Sequence, residues 1–168
     1  MPSPRRPSRP PASGYSGTPL PRKLGIGAGC RLYLHAAPAN YPSLVAPLPE
    51  GVQVVARIGS DTDVIHLFAT RRGELARALH ECRAAMRDAA AIWVSWPKKS
   101  SGLASELTED TIRELALPLQ LVDVKVCAVD ETWSGLKLVV RREARAAPLR
   151  RPTTRLKGTT AARRAPRP

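Results

Sequence analysis

The sequence predicts one small α/β domain with a mostly parallel sheet, and three observations lead to that prediction. Short apolar runs, bounded by turn residues, alternate along the chain with stretches of helical spacing. Most of these runs are continuously apolar, which is typical of parallel strands buried on both faces. The last two runs are joined by a short turn, which favours an antiparallel hairpin at one edge. We expect a sheet of about six strands.

Six stretches have the composition of strands, and in chain order they are residues 31–35, 52–56, 63–68, 91–96, 122–128 and 136–140. In the fifth stretch, Val122, Val124, Val126 and Ala128 recur with period two. We therefore expect these four residues to share one face of the sheet, with Val126 buried.

Two stretches have helical spacing. The first places four apolar residues on one helix face, namely Leu75, Leu79, Cys82 and Met86. We expect that face, including Leu79, to be buried. The second stretch carries the stripe Ile112, Leu115, Ala116 and Leu119. Thr108 is its predicted N-cap, and Pro118 is predicted to end it. A brief helix is predicted near residues 40–46.

The positive charge of the chain is concentrated at its ends. The 168 residues carry a net charge of +13, yet residues 24–140 contain twelve basic and thirteen acidic side chains. Proline-rich residues 1–23 and basic residues 143–168 have little apolar surface to bury, so both are predicted to be disordered tails. The folded domain is predicted at residues 24–142.

Exposed arginines on flexible tails bind polyanions without reading their sequence. The candidate contacts for weak nucleic-acid association are Arg5, Arg6, Arg150, Arg151, Arg163 and Arg164. A composition rich in Arg, Ala and Pro is also what a genome rich in G and C produces. Both explanations of the tails stay open.

The sequence favours a cytoplasmic location. It has no apolar run long enough to cross a bilayer, and Pro and Ser follow Arg5 and Arg6 where a secretory signal needs apolar residues. Its three cysteines are far apart in sequence, and no pair has the spacing of a zinc or redox motif. We expect them to be buried thiols, and we predict no metal site.

Three blocks of sequence resemble known families. The block from Leu24 to Leu34 resembles the opening of class I methyltransferase-like Rossmann domains, in which a turn ending in Gly leads into the first strand. The blocks Ile92–Lys99 and Asp123–Val140 resemble a small bacterial family, domain-of-unknown-function family 3052. This resemblance covers roughly residues 24–142 and implies a compact Rossmann-like fold. It implies no reaction.

The residues themselves disfavour an S-adenosylmethionine site. The loop after the first strand, residues 35–40, contains no glycine to let a cofactor approach the backbone. The second strand leads to Arg57 instead of an acid that would accept hydrogen bonds from ribose. Asp61 and Asp63 are the later candidates for that acid. From this we predict neither a cofactor nor a catalytic residue.

Polar and aromatic residues follow three of the predicted strands and form a candidate ligand-binding rim. Ligands of open α/β sheets bind beyond the carboxyl ends of the strands. The rim residues are His35 after the first strand, Trp96, Lys98, Lys99, Ser100 and Ser101 after the fourth, and Asp130, Glu131 and Trp133 in the final hairpin.

The main functional expectation is a non-catalytic or degenerate domain that binds a small anion or a protein partner. One alternative is a small S-adenosylmethionine-dependent methyltransferase-like enzyme with an atypical cofactor loop. A second alternative is nucleic-acid association through the basic tails.

Overall fold

The computed structural model describes residues 17–146, which form one α/β domain. The strands are β1 Arg31–His35, β2 Gln53–Val55, β3 Val64–Phe68, β4 Ala91–Pro97, β5 Leu121–Ala128 and β6 Trp133–Val140. The helices are α1 Leu20–Leu24, α2 Tyr41–Leu44, α3 Arg72–Ala85 and α4 Glu109–Ala116. The six arginines predicted to contact polyanions lie outside the described residues.

The six strands form one sheet in the order β2-β1-β3-β4-β6-β5. The strands β2, β1, β3 and β4 are parallel, whereas β6 runs antiparallel to β4 and to β5. The predicted fold class is therefore confirmed, including the hairpin that closes one edge.

The sheet buries a separate apolar cluster on each face. On one face, α3 and α4 cover a cluster that includes Ile65, Leu79 and Leu138. On the other face, α1, α2 and their flanking turns cover a smaller cluster around Leu24 and Trp93. Because both faces are covered at the centre of the sheet, β3 is buried along its whole length, with five consecutive buried residues.

The ends of the helices follow local chemistry. The Thr108 hydroxyl accepts a hydrogen bond from the Thr111 N–H at 3.2 Å, so it caps α4 as predicted. Pro118 lies in a short 3-10 turn directly after α4. At the other end of the domain, Gly25 caps the C-terminus of α1, and its φ of 77° suits glycine.

Replacing Leu79 tests the packing of α3. Leu79 is fully buried, and Leu79→Ala should lower the free energy of unfolding by about 2–5 kcal/mol because it leaves a cavity in the core. The matched control is Leu117→Ala, since Leu117 is 47% exposed and should cost far less. Urea denaturation of both variants measures the difference. Equal losses would contradict the assigned orientation of α3.

The expectation for β5 was wrong. Val126 is 47% exposed, and a bulge between Asp123 and Lys125 interrupts the alternation of side chains. Val122 lies opposite Val139 while Val126 lies opposite Leu136, so the two valines occupy opposite faces. The physical reason is the position of β5 at the edge, where a bulge costs little and the outer side chains are only partly covered.

The helix α1 spans the predicted boundary between residues 23 and 24. Pro21 and Leu24 are buried, and the Trp93 indole N–H donates to the Leu24 carbonyl at 2.9 Å. Packing therefore ties residues 20–24 to the sheet. Within residues 17–146, no helix is long and apolar enough to span a membrane.

Candidate functional site

The order of the strands creates a crevice between β1 and β3. The chain leaves β1 for β2 on one side and then returns to β3 on the other side of β1. The connection that leaves β1 leads to β2 and the connection that leaves β3 leads to β4 in the opposite direction, so the two diverge at the carboxyl ends of β1 and β3. Open α/β sheets bind ligands at such a switch point.

A cavity of about 210 Å³ lies at this switch point. His35 and Ala36 border it at the end of β1, and residues 67–69 border it at the end of β3. Five residues of α3 complete the lining, namely Glu74, Leu75, Arg77, Ala78 and Glu81. The cavity thus combines apolar walls with two carboxylates and one guanidinium.

Ala36 has an unusual backbone conformation at the edge of the cavity. Its φ is 51°, in the left-handed region that glycine adopts readily and alanine adopts at a cost of about 1–2 kcal/mol. The loop after β1 therefore turns as a glycine loop would, although the sequence supplies none. Strained residues of this kind are concentrated at ligand sites, which draws attention to this loop.

The acids proposed from sequence for the ribose lie at the wrong edge of the sheet. Asp63 directly precedes β3 and accepts a hydrogen bond from the Arg31 N–H at 2.8 Å, at the amino end of β1. Asp61 pairs with the Arg31 guanidinium at 3.0 Å. The carboxylates at the cavity are instead Glu74 and Glu81 of α3. The sequence carries no signal for them because Glu74 and Glu81 have the spacing of ordinary exposed positions on α3, and only the packing of α3 beside the strand ends brings them to the cavity.

The structure divides the predicted rim into two groups. Pro97 lies opposite Trp133, and the Lys98 N–H donates to the Thr132 carbonyl at 2.8 Å, so the loop after β4 meets the final hairpin. The residues brought together here are Lys98, Lys99, Ser100, Ser101, Asp130, Glu131 and Trp133. His35 lies apart from them, at the cavity.

Several rim side chains already serve the local fold. The Ser101 hydroxyl donates to the Lys98 carbonyl at 2.7 Å. Asp130 accepts hydrogen bonds from the N–H groups of Thr132 and Trp133 at 2.8 and 2.7 Å. Trp96 is buried in the core beneath α3 and α4. A ligand-binding role for the rim stays a prediction.

A buried hydrogen-bonded chain crosses the opposite face of the sheet. The two ring nitrogens of His66 lie 3.0 Å from the Tyr41 hydroxyl and 2.7 Å from the Ser95 hydroxyl. All three side chains are buried, and burial lowers the pKa of His66 to about 3 and raises that of Tyr41. His66 is therefore neutral, and both its ring nitrogens have partners. Three residues so far apart in sequence carry no signal of this contact.

The three cysteines are free thiols. Cys30 and Cys82 are buried and Cys127 is half-buried. Burial raises the pKa of each thiol, to about 12 for Cys82, which disfavours the reactive thiolate. Across residues 17–146, no group of three His, Cys, Asp or Glu side chains could hold a metal ion.

The fold is that of Rossmann-like methyltransferases. A SAM dependent methyltransferase from Aquifex aeolicus superposes with a TM-score of 0.53 at 14% identity, over 71% of this chain and 86% of its own. A putative type 11 methyltransferase from Sulfolobus solfataricus gives a TM-score of 0.51 at 11% identity, over 77% and 94%. No family model and no curated protein matches the sequence.

These neighbours overturn two expectations. A non-catalytic or degenerate domain that binds a small anion or a protein was expected, and S-adenosylmethionine was disfavoured. Both expectations were wrong, because these two solved structures, which share the fold, are methyltransferases and favour the methyltransferase-like alternative. The expectation against the cofactor relied on the absence of glycine after β1, yet Ala36 takes a left-handed φ of 51° in this loop without being glycine. At these identities the likeness establishes the fold of the chain and not its reaction.

Proposed function

We propose that the chain is a small methyltransferase-like enzyme that binds S-adenosylmethionine at the switch point between β1 and β3. One observation carries this proposal: the cavity at that point is bordered by Ala36, whose backbone takes the left-handed turn of a cofactor loop. The S-adenosylmethionine named for the Aquifex aeolicus neighbour supports the choice of cofactor.

The residues at the cavity fit the chemistry of this cofactor. Leu67, Leu75 and Ala78 offer apolar contacts to its adenine ring. The carboxylates of Glu74 and Glu81 can accept hydrogen bonds from its ribose hydroxyls or its ammonium group, in place of the acid missing after β2. When bound, the cofactor supplies a methyl group on a positively charged sulfur.

The remaining polar residues at the cavity have distinct roles in the proposal. The Arg77 guanidinium can pair with the carboxylate of the cofactor. His35, exposed at the end of β1, can accept a proton from the group that becomes methylated. Because 210 Å³ is less than the roughly 300–1,000 Å³ of typical ligand pockets, part of a bound cofactor would lie outside the cavity.

Calorimetric titration of the full chain with S-adenosylmethionine tests the proposal. We expect saturable binding, and Glu74→Gln together with Glu81→Gln should weaken it by about tenfold or more, because two charged acceptors are lost. Both glutamates are exposed, so the fold should tolerate the change.

The matched control is Glu50→Gln with Glu143→Gln, which removes the same charge at two exposed positions outside the cavity. We expect this control to bind as the parent does. Absence of binding at about 1 mM cofactor, or equal weakening of the two double variants, would contradict the proposal.

Two further expectations are retained as proposals. We infer membership of domain-of-unknown-function family 3052 from the blocks at Ile92–Lys99 and Asp123–Val140. We also propose a cytoplasmic location, which is supported by three free thiols in a chain that contains no other cysteine.

A further inference from the structure

A cationic groove lies at the edge of the sheet that is farthest from β2. It has a volume of about 620 Å³ and runs between α1 and the edge strand β5. Arg22 and Lys23 border it from α1, Lys125 borders it from β5, and Cys127 and Ala128 contribute to its lining. This groove is separate from the cavity at the switch point, with which it shares no residue.

A fourth cation adjoins this groove through the pairing of β5 with β6. Lys137 lies directly opposite Lys125, so the two ammonium groups occupy neighbouring positions on the same face. Like charges placed directly across a strand pair destabilise it. The position of Cys127 agrees with this arrangement, since burial raises the pKa of its thiol while Lys23 and Lys125 both lower it. The face therefore keeps a repulsive cluster in the folded state.

No carboxylate neutralises the cluster within the described residues. The seven ion pairs there use the guanidinium groups of Arg31, Arg72, Arg83, Arg87 and Arg113. Arg22, Lys23, Lys125 and Lys137 take part in none of these pairs. All fourteen acidic residues of the chain lie between residues 50 and 143. Residues 1–16 and 147–168 thus have no acidic side chain to offer.

We propose that this face, formed by Arg22, Lys23, Lys125 and Lys137, binds the phosphate backbone of nucleic acid. Four cations without acidic partners are complementary to closely spaced phosphates. Residues 1–16, which precede α1 in the sequence, add three arginines and no acid, and residues 147–168 add seven more basic side chains. Positive charge both on this face and in the sequence on either side of the domain suits a long polyanion. The nearly neutral net charge of residues 24–140 does not reveal that some of the positive charges cluster on one face.

The proposal differs from binding by the tails alone, because part of the affinity comes from the folded domain. Each phosphate contact that is lost should reduce the slope of log affinity against log salt by about 0.9 on duplex DNA. The face carries no aromatic side chain at the groove, so we expect no preference for base sequence.

Fluorescence anisotropy with a labelled duplex of mixed sequence tests the proposal in the full chain, tails included. In Lys125→Gln with Lys137→Gln, we expect about tenfold weaker binding at low salt and a salt slope reduced by about 1.8. The matched control is Arg57→Gln with Arg71→Gln, which removes the same charge beside β2 and before α3. We expect the control to stay within about threefold of the parent.

Three outcomes would overturn the proposal. They are an unchanged affinity in the lysine variant, equal weakening of the lysine and arginine variants, and stronger competition by poly-glutamate than by unlabelled duplex. The last would identify an acidic peptide as the occupant. Melting curves should show both variants folded, since replacing Lys125 and Lys137 relieves repulsion. If the lysine variant fails to fold, Arg22→Gln with Lys23→Gln, both on α1, replaces it and must meet the same criteria.

Discussion

Acidification from pH 6.5 towards pH 3 should progressively destabilise the protein through His66. Burial holds the pKa of His66 at about 3, whereas a histidine in the unfolded chain titrates near 6.5. Between these values the unfolded state binds a proton that the folded state does not. The free energy of unfolding should therefore fall by up to about 1.4 kcal/mol for each pH unit that is lost, and this contribution is fully present above pH 6.5.

The comparison that isolates His66 is denaturation of the parent and of His66→Gln over this pH range. The variant removes the titration, so it should be less stable at pH 7 and should lose less stability on acidification. The corresponding control is His80→Gln, at an exposed position on α3, which should retain the slope of the parent. A parent and a His66→Gln variant with parallel pH profiles would show that His66 is not buried as a neutral ring.

Much of the fold is predictable because local pattern and burial agree. The continuous apolar run of β3 can be buried only as a strand covered on both faces, and the helical stripe through Leu79 only by packing that face of α3 against the sheet. The structure has both arrangements. Thr108 similarly carries a local capping signal that needs no tertiary contact. The same logic failed at Val126, because a bulge changes the face of every later residue and leaves no trace in composition.

The candidate site was less predictable because its parts come from separate elements. Its position at the ends of β1 and β3 follows from topology, and the same rule made His35, which borders the cavity, a candidate from sequence. The conformation of Ala36 depends on the path of the loop and not on the residue type, so a search for glycine missed it. Glu74 and Glu81 belong to a helix face that reads as ordinary solvent-exposed surface until α3 is placed beside β1.

The cationic face was hidden for a related reason. Net charge is a sum, and the acids that balance residues 24–140 are placed elsewhere on the domain. Arg22 and Lys23 were assigned to a disordered tail, but Leu24 and Pro21 anchor them in α1. Only the register that places Lys125 opposite Lys137 brings the four cations to one face.

Replacing Trp93 should produce one of the largest losses of stability in the domain. Trp93 is fully buried at the centre of the sheet. Its ring packs closely against Gly135, so that a Cβ atom added to Gly135 would lie 3.4 Å from the Trp93 Cε3 atom. Trp93→Ala should lower the free energy of unfolding by about 3–5 kcal/mol through the cavity it leaves. It should also release α1, because the Leu24 carbonyl would lose the 2.9 Å hydrogen bond that the Trp93 indole N–H donates to it.

The variant Trp93→Phe separates the two contributions of this side chain. It keeps most of the ring volume and removes the donor, so it should cost about 1–3 kcal/mol, the penalty for a buried carbonyl without its partner. Hydrogen exchange should then show faster exchange at the amides of α1 in both variants, while α3 on the opposite face is affected only in Trp93→Ala. If α1 exchanges equally in the parent and in Trp93→Phe, the indole hydrogen bond does not hold this helix to the sheet.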